Sequence, residues 1–111
     1  MAQNPRVVTT SGTAALLWQT STGVSPDPKL AANGGTAGVY QAGTFNDPLP
    51  IIIANQDATN AVTLCGVGGA ATVGTILIAG ASITRNVVGN DSEYVIANAG
   101  TPKVSVQPGT Q

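Results

Sequence analysis

A chain of 111 residues, 42% of them hydrophobic and 8% charged, can bury one modest core but not two. The charged fraction is far below the roughly 25% of an average soluble domain, and the formal net charge is −1. Arg6, Lys29, Arg85 and Lys103 are scattered singly, which argues against a nucleic-acid partner, and no apolar run approaches about 18 residues, which argues against a helical membrane span.

Residues 1–48 form the less regular part, read here as an extended N-terminal arm with one or two short strands. The opening Met1-Ala2-Gln3-Asn4-Pro5-Arg6 lacks the positive-then-apolar pattern of a signal peptide. Arg6-Val7-Val8-Thr9-Thr10 is rich in β-branched residues and reads as a short strand. Ala14-Ala15-Leu16-Leu17-Trp18-Gln19 tolerates helix well and is expected to form a helical turn, too short to stand alone. Ser25-Pro26-Asp27-Pro28 and Asn33-Gly34-Gly35-Thr36 break any regular element, and Val39-Tyr40-Gln41-Ala42-Gly43 reads as a brief strand.

The rhythm changes at Leu49, where residues 49–111 are expected to form a self-sufficient sandwich. Ile51-Ile52-Ile53-Ala54 is apolar at every position, as in a strand buried on both faces. Asn55 to Thr59 supplies turn chemistry, and Val62-Thr63-Leu64 alternates, so residues 49–66 read as a β-hairpin. Gly66-Val67-Gly68-Gly69-Ala70-Ala71 reads as a loop leading to a strand at Thr75-Ile76-Leu77-Ile78-Ala79. A strand with Ile83 inward, a polar turn at Gly89-Asn90-Asp91-Ser92, a strand at Tyr94-Val95-Ile96-Ala97 and a closing strand at Lys103 to Gln107 follow. Six strands after Leu49 and one or two before it approach the eight of a jelly roll. The expected fold is all-β, a jelly-roll-like antiparallel β-sandwich with an extended N-terminal arm.

The catalytic inventory is thin, and no enzyme is expected. The chain has no histidine, so imidazole-based nucleophile systems and metal sites are absent. Asp91 and Glu93 are the only acids close in sequence, beside a turn where solvated carboxylates are ordinary, and Asn90 to Glu93 is better read as an Asx-type turn than as a calcium loop. Residues 66–71 match G-x-G-x-x-A, but the β-branched, glycine-broken stretch after them offers no helix N-terminus for a pyrophosphate. Asn90-Asp91-Ser92 is a formal glycosylation sequon without a secretory signal. The single Cys65, late in an apolar strand, reads as a small buried side chain. No cofactor is expected.

Between residues 49 and 108 the layout resembles the small virion proteins of tailed bacteriophages. The stretches that carry the likeness are Ile52-Ile53-Ala54-Asn55-Gln56, Asn60-Ala61-Val62-Thr63-Leu64, Gly80-Ala81-Ser82-Ile83-Thr84, and Tyr94-Val95-Ile96-Ala97-Asn98-Ala99-Gly100-Thr101 leading into Val104-Ser105-Val106. Similar stretches occur in capsid decoration (cement) proteins and in some tail or fibre modules. The resemblance implies a homo-oligomer, most often a trimer. It would sit on the outer capsid surface of the virion and staple neighbouring subunits of the major capsid protein, after synthesis in the host cytoplasm. The alternative is a tail or fibre module that binds a host-receptor glycan. The scarcity of charge agrees with a surface covered in an assembly. Arg6, Val7, Val8, Leu16, Leu17 and Trp18 of the arm are the expected partner-binding residues, with Trp18 filling a neighbour's pocket or anchoring the arm to the core.

Overall fold

A computed structural model of the chain describes residues 6–21, 38–41, 43–65 and 74–108. The Pro- and Gly-rich stretches expected as loops at 25–36 and 66–71 lie outside the described residues. Nine strands are present among the described residues: β1 (Arg6–Thr9), β2 (Ala15–Ser21), β3 (Gly38–Gln41), β4 (Leu49–Asn55), β5 (Val62–Cys65), β6 (Thr75–Leu77), β7 (Ser82–Val87), β8 (Asp91–Ala97) and β9 (Lys103–Pro108). They form a four-stranded sheet, ordered β1-β9-β4-β7, and a five-stranded sheet, ordered β3-β2-β8-β5-β6. The fold is all-β, two sheets packed as a sandwich.

The pairing follows a simple rule once β3 is set aside. β1 pairs with β9, β2 with β8, β4 with β7 and β5 with β6, every one antiparallel. First therefore meets last, and the ladders nest inward to the middle pair. β3 adds beyond β2 as a parallel edge, a departure from the expected antiparallel sandwich.

One shared core lies between the sheets. The four-stranded sheet contributes Val8, Ile51, Ile53, Val87, Val104 and Val106, and the five-stranded sheet Leu17, Trp18, Val62, Leu64, Leu77 and Val95. Burying an aliphatic side chain of this size contributes about 1.5–3 kcal/mol relative to leaving it exposed. The strands alternate accordingly: on β7, Ile83 packs toward the core while Ser82, Thr84 and Asn86 face water.

Two strands of the expected arm, β1 and β2, join the sheets. β1 lies alongside β9, and the Thr10 hydroxyl donates to the Pro102 carbonyl at 2.7 Å, across 92 residues of sequence. β2 sits inside the five-stranded sheet between β3 and β8. Residues 6–21 are thus strands of the sandwich, because its central positions need partners that residues 49–111 do not supply. The helical turn expected at 14–19 is part of β2. Between Leu16 and Trp18 the register against β8 shifts, and the extra residue turns both Leu17 and Trp18 inward. Pairing on both edges and burial of two large side chains outweigh a weak helical preference.

The hairpin expected over residues 49–66 is not one. β4 pairs with β7 and β9, whereas β5 pairs with β6 and β8 in the other sheet. The polar turn carries the chain across the sandwich. Burial is also distributed differently from expectation: Ile52 and Ala54 of β4 are half-buried, and it is β5 that is buried on both faces, Thr63 included. Gly74 permits the close approach of β6 to β5. Its φ is +138°, and a Cβ there would stand 2.1 Å from the Leu64 carbonyl oxygen.

Candidate functional site

The expected partner-binding residues divide by burial. Leu17 and Trp18 are 0% and 1% exposed, and Val8 joins them in the core, so these three have no surface to offer a partner. Leu16 is half-buried on the outer face of β2. Val7 points outward at half exposure, and the backbone of Arg6 pairs with Val106. Of the two roles considered for Trp18, anchoring this segment to the core is the one it fills. Trp18 shares a face with Glu93 across the β2–β8 ladder, and its indole Nε1 is buried without an acceptor.

Other side chains carry the exposed apolar surface. Phe45 is 91% exposed in the turn where Thr44 and Asp47 exchange backbone hydrogen bonds of 3.0 and 3.1 Å. Val88, nearly half exposed, bridges Gly43 just before that turn. Ile76 of β6 and Ile78 beyond it face out at 55% and 65%. The sequence signal for Phe45 was its setting among Thr44, Asn46, Asp47 and Pro48, turn residues that keep a ring out of a strand. Nothing in the sequence marked β6 as a sheet edge.

Two polar clusters lie between the sheets. In the first, Asn55, 2% exposed, donates from Nδ2 to the carbonyls of Asn60 at 2.9 Å and Leu77 at 3.0 Å, and its Oδ1 accepts from the Asp57 amide at 3.0 Å. Asp57 extends the cluster outward, accepting from the amides of Thr59 and Asn60 at 3.1 and 2.6 Å. Those backbone donors hold the Asp57 carboxyl below the usual aspartate range. This is the polar turn that the sequence placed here, working as a crossing between sheets.

In the second cluster, Arg85 of β7 faces Glu93 of β8, Nε to Oε2 at 3.6 Å, the one ion pair among the described residues. Arg85 Nη2 also donates to Thr75 Oγ1 on β6 at 3.2 Å. The pair is in Coulombic range but too long for a hydrogen bond, and Arg85 Nε has no acceptor. Burial pushes the Glu93 carboxyl up, with Arg85 pulling it back and Asp91 adding to the rise. Glu93 therefore departs from the expected solvated turn: it faces inward, and its side chain is 18% exposed. Asp91 opens β8 on the exposed side, and its Oδ1 accepts from the Ser92 amide at 2.7 Å, a contact to the next residue rather than the two-residue Asx-type bond expected there. Cys65 is buried and free, as its strand position indicated, and burial, reinforced by Glu93, pushes its thiol up.

No group of three or more metal-ligating acids, cysteines or histidines occurs among the described residues. No helix among them is long and apolar enough to cross a membrane. No protein-family model, no curated protein and no solved structure matches the chain.

Proposed function

We propose that this chain is a structural subunit of a virion, binding the outer capsid surface as a homo-oligomer, a trimer, and stabilising contacts between subunits of the major capsid protein. The observation that carries the reading is the pairing of a charge-poor chain with strongly exposed apolar side chains at Phe45, Ile76 and Ile78. Such side chains favour burial in an assembly, and aromatic anchors dominate interface energetics. The strand order supports a jelly-roll assignment within the sandwich class: β1-β9-β4-β7 facing β2-β8-β5-β6 has the nested pairing of two Greek keys. Viral capsid domains use that architecture, as do lectins and cupins, so the surface carries the functional argument rather than the fold.

The fully presented ring of Phe45 also favours a second reading, a tail or fibre module that stacks on a receptor glycan. Labelled electron microscopy of virions separates the two, with label on capsid faces expected. In solution, light scattering should give three times the mass of one chain. Co-sedimentation with capsid shells should weaken about tenfold or more for Phe45→Ser. Label confined to the tail, or full capsid binding by Phe45→Ser together with a monomeric mass, overturns the proposal.

A further inference from the structure

Strand β6 is tied to the opposite sheet near each of its ends. At Leu77 the tie is the neutral amide of Asn55, and at Thr75 it is the guanidinium of Arg85. Arg85 is itself held by Glu93, which stands across the ladder from the unpartnered Trp18 Nε1. The second tie thus depends on a group that can gain a proton, and the first does not.

We propose that the Arg85–Glu93 corner is a proton-operated latch on β6. Ionised Glu93 keeps Arg85 drawn between the sheets and against Thr75. Uptake of one proton from water by Glu93 leaves a neutral carboxylic acid, frees the cation to hydrate, and slackens the Thr75 end of β6. Arg85 has a route outward, since a third of its side chain already meets solvent. The inward position of Glu93 favours the neutral acid above the pH at which an exposed glutamate would ionise. The titratable groups facing Glu93 among the described residues are Arg85 on β7, Asp91 on its own strand and the Cys65 thiol on β5. Trp18 and Thr20 on β2 and Thr75 on β6 carry no charge. Because β6 presents Ile76 at its outer face, the latch makes exposure of that apolar edge depend on pH. The inference goes beyond the virion reading and stands without it.

The chain contains one glutamate and one tryptophan, so both reporters are unique. With glutamate labelled at its side-chain carboxyl carbon, one resonance should titrate with a midpoint above the ordinary glutamate value of about 4.3. Trp18 emission should change with the same midpoint while the far-ultraviolet β signal stays constant. Arg85→Gln should move the midpoint up, and Glu93→Gln should leave emission flat with pH. A midpoint at or below the ordinary value, emission that ignores it, loss of β signal at that pH, or a transition that survives Glu93→Gln overturns the latch. So does an unmoved midpoint in Arg85→Gln; should either variant not fold, the labelled wild-type chain decides alone.

Discussion

Asn55 and Arg85 perform the same structural task, fastening β6 to the other sheet, by opposite chemistry. Asn55 is a neutral amide whose two Nδ2 donations and one Oδ1 acceptance all meet backbone partners, at 2.9–3.0 Å. Arg85 is a cation one-third exposed, in a 3.6 Å pair with a carboxylate that burial disfavours, beside an indole N–H without an acceptor. A satisfied buried polar group is rigid and costly to remove. An incompletely satisfied charged one contributes little net stability and responds to conditions.

The difference is broken most severely at Asn55. Asn55→Ala leaves two carbonyls and one amide without their partner, at about 1–3 kcal/mol for each group that water cannot reach, so a loss of about 3–5 kcal/mol is expected in urea denaturation. At the other corner, Glu93→Gln should change stability at pH 7 by no more than about 1 kcal/mol. Its signature is in the pH profile. A carboxyl raised in the folded state binds more protons folded than unfolded, so its contribution is fully present below the unfolded value and is lost as pH rises through the folded one. The wild-type chain should therefore lose stability from this group as pH rises above the ordinary glutamate value, and Glu93→Gln should remove that slope.

Trp18→Phe gives a finer probe, because it deletes the unpartnered N–H at the cost of some ring volume. The two effects oppose, and a net change within about 1 kcal/mol is expected, against about 3–5 kcal/mol for Trp18→Ala. Asp57→Asn should have the smallest effect, in the opposite pH sense. A lowered carboxyl contributes stability above its unfolded value, lost as pH falls through the folded one, so the variant should be slightly less stable at neutral pH and should lose less on acidification below about 4. Thermal scans at several pH values check both carboxyl variants.

The positions of β4 to β9 are readable from β-branched runs bounded by Gly, Asn and Asp, because strand propensity and turn chemistry are local properties. Partnership is not local. The turn at Gln56 to Thr59 looks the same whether the next strand pairs with the last one or crosses to a second sheet, so β4 and β5 read as a hairpin when they belong to different layers. The same limit made residues 6–21 look like an arm. Ala15 to Gln19 carries no alternation because a bulge places Leu17 and Trp18 inward together, and a bulge depends on the strand opposite. At the candidate sites, Asn55 was visible as a turn residue and not as a buried anchor. Arg85 and Glu93 sit eight positions apart in sequence, in different sheets, and nothing in that spacing announces that they meet.

The placement of β9 has a consequence for how the chain comes to be folded. Residues 103–108 form an inner strand, hydrogen-bonded to β1 on one side and β4 on the other. During synthesis the strands from β1 to β8 are complete while the four-stranded sheet still has a gap at its middle. Leu17, Trp18 and Val95 of the five-stranded sheet then face an unfinished layer, and the edge of β4 is open to any extended segment nearby. Closing that gap joins positions almost a whole chain length apart, which slows folding. Until the last ribbon slides in, a ribosome-bound chain of this sequence is a half-built sheet in need of protection from its neighbours on the same message.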